Sequence, residues 1–164
     1  LLHLLGYEDE DAEKAKVMEE KQEILYRLLE EEEEREKLIK RAIQVRAHAY
    51  APYSCFPVGA ALLGYNGDIF TGCNVENTSL GLTICAERVA IFKAVSQGIR
   101  EFKKIAIIGD SSSYCFPCGA CRQVLYEFAP QLEVVAAKSD RDYEVVSLSS
   151  LLPQAFFLRN DRKE

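Results

Sequence analysis

Two short cysteine blocks set the terms for the rest of this chain. In the first, Cys85-Ala86-Glu87-Arg88, a thiol and then a carboxylate two residues on open an apolar helical run. The second, Pro117-Cys118-Gly119-Ala120-Cys121, follows about thirty residues later and starts another helix with a C-x-x-C pair. A helix N-terminus carries partial positive charge and lowers thiol pKa values, which favours metal binding there. Zinc takes thiolates tetrahedrally, and a catalytic zinc keeps three protein ligands and leaves the fourth place to water. Cys85, Cys118 and Cys121 are the candidate ligands. Three thiolates around a divalent cation leave a net negative charge that weakens it as a Lewis acid. Arg88 stands where it can hydrogen-bond a thiolate and offset that charge. Glu87 is spaced as a proton carrier beside the metal, not as a fourth ligand. The competing readings are a closed structural zinc site, with Cys55, Cys73 or Cys115 as fourth ligand, and a redox dithiol at Cys118 and Cys121. Cys73 otherwise reads as a small buried apolar residue, Cys55 and Cys115 as plain loop thiols, and His48 as a surface or packed histidine.

A length of 164 residues with 48% apolar content is enough for about one domain with a real core. No apolar run approaches the roughly 18 residues of a membrane span. Leu1-Leu2-His3-Leu4-Leu5 is too short for a signal peptide and lacks a basic flank. Six cysteines including a C-x-x-C pair, with no export signal, read as reduced thiols. A soluble, cytoplasmic protein without membrane contact is expected. The net charge of −6 is uneven: residues 1–40 hold 14 acids against 7 bases, and the remainder holds 12 against 13. That remainder has no basic stripe, so a nucleic-acid partner is not expected and a small molecule fits better.

Residues 8–50 read as helix, with Asp9 or Asp11 as N-cap and Pro52 as the stop. Its five consecutive acids, Glu30 to Glu34, cannot enter a core, and either one long helix runs through or two helices meet there. Glu31/Arg35, Glu33/Lys37 and Glu36/Lys40 are spaced to support a solvated helix. Val58 to Gly64 and Asp68 to Val75 read as strands joined at Tyr65-Asn66-Gly67-Asp68. A helix from Cys85 to about Gln97 ends at Gly98. Lys104 to Gly109 is a strand buried on both faces, Cys118 to Phe128 a helix ended by Pro130, and Leu132 to Ala137 a second buried strand. Tyr143 to Val146 is a short strand, Ser147 caps a short helix, and Phe156 begins an exposed tail whose two adjacent phenylalanines need a partner surface. This order predicts an α/β fold: one mixed sheet with helices on both faces. An acidic helical extension, 1–35, precedes the domain at 36–164.

Four blocks carry a resemblance beyond these patterns. They are Pro52-Tyr53-Ser54 with Phe56 and Val58-Gly59-Ala60-Ala61, then Gly72-Cys73-Asn74-Val75-Glu76-Asn77, then Cys85-Ala86-Glu87-Arg88, and finally Pro117 to Val124. In order and spacing they resemble the small homotetrameric zinc-dependent cytidine deaminases, over roughly residues 36–157. A non-ligand glutamate beside a three-cysteine zinc is also a pattern of zinc deaminases acting on bases. The resemblance implies the three-layer α/β/α cytidine deaminase-like fold with a mixed five-stranded sheet. It implies one zinc per subunit on Cys85, Cys118 and Cys121, and hydrolysis of cytidine and 2′-deoxycytidine to the uridines with release of ammonia, as in pyrimidine salvage. Zinc-held hydroxide would attack C4 and Glu87 would shuttle the protons. Phe56 would stack on the base, Asn74 and Glu76 would hold the ribose 3′-hydroxyl, and the Ala86 backbone would contact the base. Phe156 would reach a neighbouring subunit's site in a tetramer with shared active sites. Leu80 stands where the family has an aromatic, and the family lacks an extension like 1–35. The alternatives are a deaminase of a related aminopyrimidine nucleoside and a non-catalytic zinc-stabilised binding module.

Overall fold

A computed structural model describes residues 12–110 and 112–157. The expected caps Asp9 and Asp11 and the end of the tail lie outside the described residues. The chain divides at Arg35/Glu36 into two compact units.

In the first unit the described residues belong to α1, a single helix running Ala12–Arg46 without a break at the acidic run. Arg35 bonds Glu31 at 3.2 Å one turn back, the spacing a solvated helix uses. The helix stops at Arg46, four residues short of the expected end, and a turn closed by Val45 and Arg46 carbonyls leads on to Pro52.

The second unit is built on a five-stranded sheet in the order β2-β1-β3-β4-β5. The strands are β1 (Gly59–Gly64), β2 (Ile69–Cys73), β3 (Phe102–Ile108), β4 (Glu133–Ala137) and β5 (Tyr143–Ser147). The helices are α2 (Ala86–Ser96), α3 (Gly119–Phe128) and the one-turn α4 (Leu148–Leu151). β3 and β4 pair in parallel across α3, and every other neighbouring pair is antiparallel. Gly67 takes φ 86° in the β1–β2 turn, where a side chain would be strained.

Side-chain alternation along the strands divides the core in two. Ala60, Leu62, Ile105, Ile107 and Val134 face Ala86, Ala90, Ile91 and Leu125 of α2 and α3. Ala61, Leu63, Ala106, Ile108 and Val135 face Leu38, Ile39 and Ala42 of α1. Continuous apolar strands therefore carry helices on both faces, and the layers are α/β/α as expected. The helix layers approach closely. A Cβ on Gly72 would lie 2.4 Å from the Ala86 carbonyl oxygen, so only glycine lets the first turn of α2 rest on β2.

The parallel pair fixes where chemistry can sit. α2 and α3 both start beyond the carboxyl end of β3, the usual place for a site in sheets of this kind. A cavity of about 400 Å³ lined by Phe102, Phe128 and Leu132 lies at the opposite end of β3.

Candidate metal centre

Cys85 and Cys118 are the N-cap residues of α2 and α3, each with extended backbone. Cys121 follows one turn into α3 and is fully buried. The three sulfurs lie within 4.8 Å of one another, with Cys85 and Cys118 Sγ 3.9 Å apart. Tetrahedral zinc with Zn–S near 2.3 Å spaces its sulfurs roughly 3.8 Å apart, so the donor set fits that metal. No fourth His, Cys, Asp or Glu joins the cluster among the described residues. Three grouped donors match the ligand count of a catalytic zinc, which leaves its fourth place to water, and not the four of a closed structural site.

The electrostatics follow from the crowding of thiols. The Cys121 thiol donates to Cys85 and, with Arg88, holds the Cys85 pKa down to about 5. That same contact pushes the Cys121 thiol upward. A bound divalent cation would favour all three as thiolates. Arg88 Nη2 reaches Cys85 Sγ at 3.6 Å and the Thr83 carbonyl at 3.0 Å. Arg88 Nε is buried without a hydrogen-bond partner, a further donor beside the anionic cluster. The Cys85 contact is also the main cause that holds the guanidinium in its charged form.

Glu87 is 4% exposed on the first turn of α2. Burial first, and then the Cys85 thiolate, push its carboxyl above the usual range. Ala86 beside it is fully buried.

The opposite wall comes from the loop before β1. Phe56 lies against Gly109, where a Cβ would meet its ring at 2.6 Å and Cys115 Sγ at 3.3 Å. Cys115 faces Glu87 and Cys85 electrostatically, and burial raises its thiol to about 11. Asn74 uses both ends of its amide on this loop: Oδ1 accepts from Val58 N at 2.8 Å and Nδ2 donates to the Phe56 carbonyl at 2.9 Å. Glu76 accepts from Tyr53 N at 2.8 Å, from Ser54 N at 3.2 Å and from Ser54 Oγ. The Ser54 hydroxyl is the largest cause of its lowered pKa.

Ten residues were expected at the site by number: Cys85, Ala86, Glu87, Arg88, Cys118 and Cys121 gather at the thiol cluster, and Asn74 and Glu76 fix the loop that carries Phe56. Phe156 is 69% exposed, its carbonyl held by Gln123 Nε2 at 2.8 Å. His48 is exposed and Cys73 half-buried. Sequence reasoning missed Ser54, Arg46 and Gly109. Arg46 Nη1 donates to the Gly109 carbonyl, tying α1 to the floor under Phe56. Ser54 lies inside a quoted block and could have been singled out there; the Arg46 contact spans 63 residues and leaves no local signal. Arg122 braces α3, donating to the Pro117 and Leu151 carbonyls at 2.8 and 2.9 Å.

Residues 32–137 match the family described as the cytidine and deoxycytidylate deaminase zinc-binding region. A cytidine deaminase of Sporosarcina psychrophila is 49% identical over 122 residues, covering 74% of this chain and 90% of the relative. A probable cytidine deaminase of Dictyostelium discoideum is 51% identical, covering 76% and 85%. The crystal structure of cytidine deaminase from Burkholderia pseudomallei superposes with a TM-score of 0.71 at 51% identity, covering 73% of this chain and 97% of that one.

Proposed function

The chain belongs to the cytidine and deoxycytidylate deaminase family, and from that premise we propose that it hydrolyses cytidine and 2′-deoxycytidine to uridine and 2′-deoxyuridine, releasing ammonia, a step of pyrimidine salvage. One observation carries the reading: a buried carboxyl, Glu87, sits beside Cys85 and Cys121 of a three-thiol cluster. Cys85, Cys118 and Cys121 would hold one zinc, which would supply Lewis acidity and lower the pKa of water to about 7.

The protein's own groups do the rest. Glu87 takes the proton that water gives up as its oxygen bonds to C4. It delivers that proton to N3, then takes the proton from the new C4 hydroxyl and passes it to the exocyclic amine. The C4–N bond breaks and ammonia leaves. Burial suits the task, because a carboxyl pushed upward is a stronger base and is poised nearer the working pH. Arg88 balances the charge of the thiolates. Phe56 stacks on the pyrimidine, the Ala86 backbone contacts the base, and Asn74 and Glu76 hold the ribose 3′-hydroxyl. The lowered pKa of Glu76 supports that role, since a charged carboxylate accepts well from a hydroxyl.

A nucleoside panel tests the reading. Cytidine and 2′-deoxycytidine should lose their ultraviolet absorbance and release one ammonia each. Cytidine 3′-monophosphate should react about a hundredfold less well or worse, because Glu76 repels a 3′-phosphate. Equal turnover of the 3′-phosphate removes the ribose assignment, and no turnover of either nucleoside removes the reading.

The assembly we propose is a cytoplasmic homotetramer of domains 36–164, each preceded by the acidic helical extension 1–35. Phe156 of one subunit enters a neighbour's site. The exposure of Phe156, Leu80 at 70% and Leu82 at 65% supports apolar contacts between subunits. No described helix is long and apolar enough to cross a membrane. Light scattering should give about four chain masses, both for the intact 18.5 kDa chain and for the lighter chain without residues 1–35. A monomeric mass for the intact chain sinks the shared site.

A further inference from the structure

The loop that carries Phe56 holds a conformation its own sequence does not favour. Cys55 has φ 53°, the left-handed region where a Cβ is unfavourable. Such a residue persists only where its surroundings over-determine it, and such sites cluster where function needs a fixed geometry. The neighbour before it, Ser54, supplies that constraint. Its hydroxyl donates to Glu76 Oε1 and accepts from Phe56 N at 3.1 Å. A serine hydroxyl has one hydrogen, so donor and acceptor are each committed in a different direction.

We propose that Ser54 is a positioning residue for the reaction: its hydroxyl locks the base wall, Phe56, to the ribose carboxylate, Glu76, across the kink at Cys55. This deepens the deaminase reading above and rests on it. Glu76 already accepts from Tyr53 N, Ser54 N and Ser54 Oγ. A carboxylate has about four acceptor sites, so one remains for a sugar hydroxyl. Ser54 therefore leaves Glu76 a single direction in which to accept. Through the Phe56 amide the same hydroxyl fixes the height of the ring over Gly109. Base and sugar are measured from one atom. The bonds of Ser54 go to Glu76 and Phe56 and not to Glu87 or the thiols, so binding, not the proton transfers, depends on it.

The test pairs Ser54 variants with a substrate lacking the 3′-hydroxyl. Wild type, Ser54→Ala and Ser54→Thr are assayed on cytidine and 3′-deoxycytidine, with zinc content and melting temperature measured for each. In Ser54→Ala, KM for cytidine should rise about tenfold with kcat within about threefold of wild type. The preference for cytidine over 3′-deoxycytidine should shrink at least about fivefold, and Ser54→Thr, which keeps the hydroxyl, should restore it. A loop role without a link to the sugar would penalise both substrates equally, so an unchanged preference in Ser54→Ala overturns the inference. If Ser54→Ala does not fold, Ser54→Thr decides: loss of the 3′-hydroxyl preference there, with the fold intact, overturns it too. A wild-type chain that deaminates cytidine but ignores the 3′-hydroxyl overturns the ribose role of Glu76 along with this inference. A wild type inactive on both substrates overturns the deaminase reading itself.

Discussion

Glu87→Gln lowers kcat on cytidine about a thousandfold or more, while zinc content and melting temperature stay near wild type. The amide keeps the shape of the carboxyl but cannot accept and return a proton. If Glu87 alone carries protons from water to N3 and to the amine, two transfers lose their agent in one substitution. The fold has no reason to suffer. An ionised carboxylate that is only 4% exposed is costly to bury, and an amide in its place removes that cost. Removing a negative charge beside three thiolates does not weaken their hold on a cation through any lost ligand, because Glu87 is not in the cluster. KM should change less than kcat, since the lost interaction belongs to the transition state. Stopped assays of uridine formation, with metal analysis of the same preparation, check this. Turnover within about tenfold of wild type would move the proton shuttle to another residue.

The parts of this site that the sequence discloses are those written in local spacing. Cys85 and Cys118 read as helix starts because apolar periodicity begins just after each and Gly98 and Pro130 end it. Both are N-caps in the structure. The strands around Ile105 to Ile108 and Val134 to Ala137 read as doubly buried, and their alternating side chains do serve two helix layers. Boundaries slipped where pairing changes partner. Val75 was expected within a strand, yet β2 ends at Cys73 and Val75 pairs singly with Tyr50 and Ile84. What local spacing does not disclose is commitment at a distance. The resemblance implies Asn74 and Glu76 as sugar ligands; the structure shows them engaged with residues 16 to 23 positions away, holding the loop of Phe56. The left-handed turn at Cys55 is equally silent in sequence, because nothing about cysteine asks for it. It exists because long-range bonds impose it, and such bonds form only once the sheet has brought Glu76 under Ser54.

Loss of a single thiol should empty the metal centre. In Cys118→Ser the hydroxyl stays protonated near neutral pH and is a poor zinc donor, so affinity should fall at least about a hundredfold. Cytidine turnover should fall with it. The melting temperature should also drop, because metal that binds only the folded chain stabilises it by mass action. Cys115→Ser is the informative contrast. Cys115 lies near the cluster but its sulfur is not among the three grouped donors, and burial holds it as a neutral thiol with a pKa of about 11. Its replacement should leave one zinc per chain and change activity only through packing against Phe56 and Gly109. The two variants separate an open catalytic site from a closed structural one. In a closed site a fourth thiol would share the load, and removing Cys115 would release metal much as removing Cys118 does. Equal zinc loss from both variants would therefore defeat the three-ligand assignment, as would full zinc retention in Cys118→Ser. Zinc lost from Cys118→Ser alone leaves the fourth position for water, which is what Glu87 needs beside it.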